Sequence, residues 1–191
     1  MEEIAIREYR PEWADEFELL ASKIRGIVGD RVIRVDHIGS TAIPGLAAKD
    51  VIDIQLTVVD LDREAVTSVL ASAGYRLNAR IEHDLLTGLD PESPELRKKF
   101  LREPEGSRRA HFHIREERRI NQAYPLLFRD YLRSDAVARE AYRSVKQELA
   151  ARFSHDPDAY YSIKDPHMDT IYQAAKLWAQ VNDWKEDDDF R

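Results

Sequence analysis

Apolar residues recur at intervals of three and four near the start of the chain, and this is the spacing of one face of an α-helix. The stripe consists of Trp13, Phe17, Leu20, Ile24 and Ile27. Pro11 suits the first helical position, and Gly29 with Asp30 ends the pattern. The sequence therefore predicts a first helix that begins at Pro11 and packs its apolar stripe on a core.

Strand patterns replace this spacing in the next segments. Residues 31–38 read RVIRVDHI, are enriched in β-branched residues and predict one strand. Two further segments show the alternation of apolar and polar residues expected for strands. DVIDIQLTVV, residues 50–59, places four aliphatic side chains on one face and Asp53, Gln55 and Thr57 on the other. AHFHIRE, residues 110–116, likewise opposes Phe112 and Ile114 to three polar side chains. RIEHDLLTG, residues 80–88, and KKFLRE, residues 98–103, are two further candidate strands.

The remaining patterns are helical. Residues 62–74 predict a helix that ends at Gly74, and two apolar stripes follow between residues 120 and 149 with Ser134 as the cap of the second. A connecting segment is expected over residues 154–163, and then a last helix with Asp165 as N-cap and Pro166 at its first position. Strands in the middle and helices at both ends predict one α+β domain over residues 1–191.

Composition narrows the classes of function. A formal net charge of −7 argues against general nucleic-acid binding, and WKEDDDFR, residues 184–191, is expected to be a frayed acidic tail. The chain has no cysteine, no signal-peptide pattern and no apolar run long enough to cross a bilayer. We expect a cytoplasmic protein that has no membrane contact, and its oligomeric state stays open.

Candidate chemistry starts at the Gly-Ser corner of HIGSTAIPGL, residues 37–46. Gly39 permits a positive φ and close approach to a ligand, while Ser40 and Thr41 add hydroxyl groups beside backbone N–H groups that could hold an anion. A plain turn is the alternative. Asp53 follows in an apolar strand, where a carboxylate must face a cleft, water, a cation or a donor.

This arrangement resembles the signature of the nucleotidyltransferase superfamily related to polymerase β. More closely, HIGSTAIPGLAAKDVIDIQLTV resembles the hallmark segment of the GrpB-like family, a bacterial branch of that superfamily, and so do HFHI, LLFRDYLRSDAVAREAYRSVKQELA and YYSIKDPHM. The resemblance runs from about Arg7 to Ala179. It implies a nucleotidyltransferase-like fold, with a central mixed β-sheet flanked by helices and a helical C-terminal third.

The resemblance also implies roles for residues. Gly39, Ser40 and Thr41 would hold phosphate, and Asp53 would be the catalytic acid and a ligand of Mg²⁺, with Mn²⁺ or no metal as alternatives. The family pattern expects a second acid where this chain has Gln55. Gln55 could still ligate through its carbonyl, but it adds no negative charge.

Other polar residues extend the candidate site. His111 and His113 stand where a third acid is expected; they could contact phosphate together with Arg115, form a transition-metal site with Asp53, or be structural. Lys49 at the entry of the Asp53 strand could meet phosphate. Lys164, ahead of the last helix, could reach the same cleft.

Three functions remain open. The first is binding of a nucleotide or phosphorylated small molecule, with transfer of a nucleotidyl or phosphoryl group. The second is a catalytically inactive accessory module, for which Gln55→Glu should raise metal affinity. The third is a His-x-His metalloprotein. Similar modules are attached to some bacterial dephospho-CoA kinases, but the chain has no G-x-x-x-x-G-K-[ST] phosphate loop and is not predicted to be that kinase itself.

Overall fold

The computed structural model describes residues 3–63 and 65–186. Five helices are α1 (Glu12–Val28), α2 (Val66–Ser72), α3 (Ile120–Ser134), α4 (Ala136–Phe153) and α5 (Pro157–Val181). Five strands are β1 (Arg34–Ile38), β2 (Ile52–Val58), β3 (Arg76–Leu77), β4 (Lys98–Arg102) and β5 (Ala110–Glu116). The predicted α+β class with a helical last third is confirmed.

The strands form one mixed sheet in the order β1-β2-β5-β4-β3. Strands β2 and β5 are parallel, and the other neighbours are antiparallel. In the parallel pair Asp53 lies opposite His111 and Gln55 lies opposite His113. Because neighbours in register point to the same side of a sheet, the polar residues of both strands share one face.

The opposite face carries the main hydrophobic core. Aliphatic residues of β2 and β5 pack there against α1 and α2, with Trp13 and Ile24 fully buried. The predicted stripe of α1 is confirmed, with Trp13, Phe17 and Ile24 buried and with Leu20 and Ile27 partly buried against the same core. The helix begins at Glu12, so Pro11 is its N-cap and not its first residue. Helices α3, α4 and α5 pack against each other around further clusters, one of them centred on Phe128, Leu132 and Tyr142.

The polar face of the sheet is also buried. Gln55 and Thr57 are at most 1% exposed, and the Gln55 amide donates to the backbone oxygen of Gln122 on α3. Arg34 pairs with Asp36 on the same face of β1 at 2.7 Å. The sheet thus separates an apolar layer under α1 and α2 from a hydrogen-bonded layer under α3.

Three local predictions are wrong. The last helix begins at Pro157 after an Asp156 cap, so Asp165 and Pro166 lie inside α5. Helix α4 is capped by Asp135, whose carboxylate accepts from two backbone N–H groups, and not by Ser134. Residues 80–88 contain no strand beyond the isolated bridge of His83 with Arg97.

The beginning of the predicted tail is anchored. Trp184 donates its indole N–H to Asp130, and Glu186 accepts from Arg34 and Gln122 at 3.2 and 3.0 Å. The expectation of a frayed segment is therefore wrong for residues 184–186, and residues 187–191 lie outside the described part of the chain. Within the described residues, none of the helices has the length and apolar character needed to span a membrane.

Candidate functional site

A cleft with a volume of about 570 Å³ opens where the polar face of the sheet meets α4 and α5. Its lining includes the Gly-Ser corner, Asp53 with its neighbours on β5, and side chains of the helices. Most of the residues that the sequence singled out are therefore brought together: Gly39, Ser40, Thr41, Lys49, Asp53, His111, His113 and Arg115. Gln55 is not among the lining residues.

Gly39 is shaped by its contact with Asp53. Its φ is +71°, a conformation that favours glycine, and a β-carbon at this position would lie 2.5 Å from Asp53 Oδ2. Residues 40–42 then form one short 3₁₀ turn directly after the glycine. Gly39 thus leaves room for the Asp53 carboxylate.

Ser40 receives a hydrogen bond from a buried lysine of α4. The Lys146 ammonium donates to Ser40 Oγ at 2.9 Å and to the Ala47 carbonyl at 2.5 Å. Lys146 is 2% exposed and has no carboxylate partner among the described residues. Burial, with the charges of Lys164 and Lys49 nearby, lowers the pKa of Lys146 to about 7.

Two more amines line the same region. Lys49 hydrogen-bonds the Tyr161 hydroxyl and lies over its ring, and Lys164 pairs with Asp165 at 2.5 Å. Three lysines from three different segments therefore converge on the cleft. Among the described residues, the only carboxylate paired with any of them is Asp165, which pairs with Lys164. This arrangement suits an anion with more than one negative charge.

Asp53 is held by two imidazoles. His111 Nδ1 lies 3.0 Å and His113 Nε2 lies 3.7 Å from Asp53 Oδ1, and the carboxylate is about one-quarter exposed. Burial alone would raise the pKa of Asp53, but the hydrogen bond from His111 and the nearby His113 ring outweigh it and hold the pKa well below its usual range. Burial lowers the pKa of His113 to about 4.

Arg115 belongs to a separate network at the floor of the cleft. Its guanidinium donates to both oxygens of Asp84, at 2.8 and 3.0 Å, and Lys98 pairs with the same carboxylate at 2.5 Å. Asn121 also donates to Asp84. Two cations therefore share one carboxylate, and the contact with Asp84 braces Arg115 at the floor of the cleft.

Gln55 does not meet the expectation of a metal ligand. Its Oε1 accepts from Arg115 Nη1 at 2.8 Å and its Nε2 donates to Gln122, so both polar atoms are used within the protein. A Mg²⁺ ion at Asp53 would then find a single carboxylate and two imidazoles, whereas Mg²⁺ prefers oxygen ligands. The described residues do not fit a magnesium site made by Asp53 and Gln55.

Thr41 and His37 stabilise the corner. The Thr41 hydroxyl donates to the Val51 carbonyl and contacts His37 Nε2 at 3.0 Å, and the His37 ring stacks on Phe17. Both side chains are buried. Thr41 lines the cleft, but its hydroxyl is engaged in holding the loop.

The sequence reasoning missed Lys146 and Asp84. Lys146 lies in the middle of α4, a helix whose other charged residues are exposed or half-buried, and Asp84 lies in a segment interpreted as a strand. A signal existed for Lys146, because it follows Tyr142 by four positions on the apolar stripe of α4 and so lies on its inner face.

Comparison with known proteins gives two kinds of relatives. The model of the family described as GrpB protein matches residues 3–174. A dephospho-CoA kinase of Mycolicibacterium paratuberculosis is 35% identical over 192 residues, which cover 92% of this chain and 46% of that protein. A UPF0157 protein of Halalkalibacterium halodurans is 32% identical, with coverage of 84% and 78%. The chain spans about half the length of the dephospho-CoA kinases it matches.

Solved structures agree on the fold. The conserved protein GrpB from Enterococcus faecalis superposes with a TM-score of 0.74 at 28% identity, covering 91% of this chain and 99% of that one. A Cid1 poly(U) polymerase bound to MgATP superposes with a TM-score of 0.50 at 14% identity, covering 77% and 45%. The second likeness concerns the fold alone.

Proposed function

The chain belongs to the GrpB family, and from this premise we propose that its cleft binds a nucleotide or another phosphorylated small molecule. The observation that carries the proposal is Lys146: a buried amine, bonded to Ser40 beside Gly39, with no carboxylate partner among the described residues. A buried amine without a counter-charge is costly, and a phosphate group would supply that charge.

The positions of the three lysines support a phosphate chain over a single carboxylate ligand. Lys49, Lys146 and Lys164 approach the cleft from three segments, and burial together with the two neighbouring amines lowers the pKa of Lys146. A di- or triphosphate carries enough negative charge to offset all three. The backbone N–H groups of Ser40 and Thr41, at the corner after Gly39, would add donors to the same oxygens.

The remaining wall of the cleft suits the rest of such a molecule. Tyr124, Met168 and Leu86 line it, so an apolar or aromatic group could pack there while its phosphates face the lysines. We do not assign a base or an acceptor. We do not propose general nucleic-acid binding. We propose that the chain forms a single domain and acts in the cytoplasm.

If binding leads to chemistry, the reaction we propose is transfer of a nucleotidyl or phosphoryl group. The lysines would stabilise negative charge on the transferred group's oxygens, and the Asp53 carboxylate would lie at the floor of the same cleft. Asp53 is the residue for which we propose a catalytic role.

A non-catalytic binding module is the second candidate. It is favoured by Gln55, which stands at the place of a second acid and is fully committed to Arg115 and Gln122. Such a module could accompany a dephospho-CoA kinase, as the match to about half of those proteins suggests. Turnover that depends on Asp53 would exclude this version.

The test is ligand binding measured by calorimetry and thermal shift. The probes are ATP, GTP, CTP, UTP and inorganic triphosphate, each with and without Mg²⁺ or Mn²⁺. We expect binding of at least one probe, a loss of about tenfold or more in Lys146→Met, and a smaller loss in Ser40→Ala.

The matched control is Lys23→Met, since Lys23 is exposed on α1 at the opposite side of the sheet. It should bind as the wild type does. Failure of every probe to bind the wild type, or equal loss in Lys23→Met and Lys146→Met, would contradict the proposal.

A further inference from the structure

We propose that Asp53, His111 and His113 form a binding site for a divalent transition metal ion such as Zn²⁺ or Mn²⁺, in preference to Mg²⁺. Each of the three residues offers one ligand atom, and these atoms lie within 4.8 Å of one another. The three side chains line the cleft and are each between 15% and 27% exposed, so an ion could enter from solvent.

The register of the sheet produces this convergence. Asp53 on β2 is the direct neighbour of His111 on the parallel strand β5, and His113 lies two positions further on the same face. The separations from Asp53 Oδ1 are 3.0 Å to His111 Nδ1 and 3.7 Å to His113 Nε2. Two ligands of one ion at metal distances of about 2.0–2.2 Å are about 3.0–3.5 Å apart, which these values bracket.

The rings are restrained by their surroundings. The Phe100 ring on β4 meets the rings of both His111 and His113 edge to face, with centroids 5.2 and 5.1 Å apart. The backbone of Gly39 packs so close to Asp53 Oδ2 that residue 39 has no space for a side chain. Three ligand groups are therefore held on rigid strands before an ion arrives.

The donor set determines the kind of ion. Two imidazoles and one carboxylate suit borderline transition metals, whereas Mg²⁺ selects oxygen ligands. The other oxygens that could have made a harder site are committed elsewhere. Gln55 bonds to Arg115 and Gln122, and Asp84 accepts from Lys98, Arg115 and Asn121.

One neighbour opposes ligation and moderates the affinity. Arg115 Nη2 lies 3.4 Å from His113 Nδ1, the nitrogen that would carry the proton when Nε2 binds an ion. The charge of Arg115 is balanced by Asp84, and 3.4 Å is long for a hydrogen bond, so this contact weakens the site without closing it.

The experiment uses the whole chain without nucleotide, so it is independent of the proposed phosphate binding. Protein treated with EDTA and dialysed at pH 7 is titrated with Zn²⁺, Mn²⁺, Co²⁺ and Mg²⁺, and bound metal is measured by equilibrium dialysis with elemental analysis. We expect one transition-metal ion per chain, with Mg²⁺ about tenfold or more weaker.

Variants show whether the ion is in this site. Asp53→Asn, His111→Ala and His113→Ala should each lower the Zn²⁺ affinity about tenfold or more. His83→Ala is the matched control, because His83 lines the same cleft outside the cluster, and it should bind as the wild type does. Circular dichroism checks that each variant is folded.

A measurement on the wild type covers the case of a variant that does not fold. Zn²⁺ should shift the ring nitrogen resonances of His111 and His113 and leave those of His83 in place. Unshifted His111 and His113 rings at saturating Zn²⁺, equal affinity for Mg²⁺ and Zn²⁺, or unchanged binding in folded Asp53→Asn would each overturn the proposal.

Discussion

Gly39 and Asp53 are in direct contact, because a β-carbon on Gly39 would lie 2.5 Å from Asp53 Oδ2 and 3.0 Å from Asp53 Cβ. The glycine at the corner and the acid of the strand are therefore one packing unit. Any side chain at residue 39 must displace the carboxylate that lies at the floor of the cleft.

The first prediction is that Gly39→Ala impairs ligand binding through Asp53. The backbone of Gly39, with φ +71° and ψ −173°, lies in a region essentially restricted to glycine and costs about 1–3 kcal/mol for alanine. The clash adds displacement of the carboxylate. We expect about tenfold or more weaker binding of Zn²⁺ in a titration of the folded variant.

Gly45→Ala is the control for this first change. Gly45 also has a positive φ, of +80°, but a β-carbon there meets only Arg139 Nε at 3.9 Å. It should lose similar stability in urea unfolding and keep its Zn²⁺ affinity. Equal binding by the Gly39→Ala and Gly45→Ala variants would contradict the role of the contact.

The second prediction concerns the pH dependence of phosphate binding. Burial lowers the pKa of Lys146 to about 7, so the ammonium is progressively lost as the pH rises above that value. A bound phosphate favours the charged form, so affinity for inorganic triphosphate should fall by up to about tenfold per pH unit above about 7, the pKa of Lys146 in the free protein. The fall should end once the pH exceeds the higher pKa of Lys146 in the complex.

The comparison variant for Lys146 is Lys146→Arg, which stays charged throughout this range. Both proteins are titrated by calorimetry from pH 6 to 9 in the same buffers, so the titration of triphosphate itself cancels. The ratio of the wild-type affinity to the Lys146→Arg affinity should fall with pH. A ratio independent of pH would show that Lys146 does not titrate on binding.

The third prediction is that Gln55→Glu destabilises the protein without strengthening metal binding. The carboxylate would keep the partner Arg115 but would lose the donor to the Gln122 carbonyl and place two acceptors against each other. An unsatisfied buried group costs about 1–3 kcal/mol, which urea unfolding measures.

Gln173→Glu on the exposed side of α5 is the control and should change stability by less than about 0.5 kcal/mol. This prediction is the opposite of the expectation, drawn from the sequence alone, that an acid at position 55 would raise metal affinity. A rise in Mn²⁺ affinity of the Gln55→Glu variant would restore that expectation.

The fourth prediction is that Asp84→Asn costs about 3 kcal/mol at pH 7, because it leaves Arg115 and Lys98 without their carboxylate. Burial alone would raise the pKa of Asp84, but Arg115 and Lys98 outweigh it and hold the pKa below its usual range. The stabilisation is therefore fully present above about pH 4 and is lost as the pH falls through the lower folded value.

Urea unfolding of wild type and variant at pH 7 and at pH 3 checks this. The difference should be smaller at pH 3. Asp62→Asn removes an exposed carboxylate that pairs with Arg97 and should cost less than about 1 kcal/mol. If the difference in unfolding free energy between wild type and Asp84→Asn is the same at both pH values, the stabilisation does not come from the charge of Asp84.

Periodicity was sufficient to locate most elements. The stripe of α1 and the alternation in β2 and β5 reflect burial of one face, and local sequence records this directly. The predicted start of α5 is wrong because the sequence contains two Asp-Pro pairs that each suit a helix start, at residues 156–157 and 165–166. The upstream pair caps the helix, and the downstream proline is accommodated within it.

The site was partly predictable for a similar reason. Alternation placed Asp53, His111 and His113 on polar faces, and the resemblance to the family indicated which corner lies beside them. Strand pairing, which brings Asp53 next to His111, depends on contacts distant in sequence. Lys146 and Asp84 come from a helix and a loop that reach the cleft only through packing of the whole chain. The helical spacing places Lys146 on the inner face of α4, but it does not show that this face meets the cleft.

The two buried faces of the sheet differ in the kinds of substitution that they tolerate. On the side of α1 and α2, residues such as Ile54 and Phe112 require volume, which several apolar side chains can supply in combination. On the side of α3, Gln55 and Arg115 require a matched donor and acceptor, which few single exchanges preserve. In a saturation mutagenesis library, hydrophobicity should therefore rank the survivors on the first side and fail to rank them on the second.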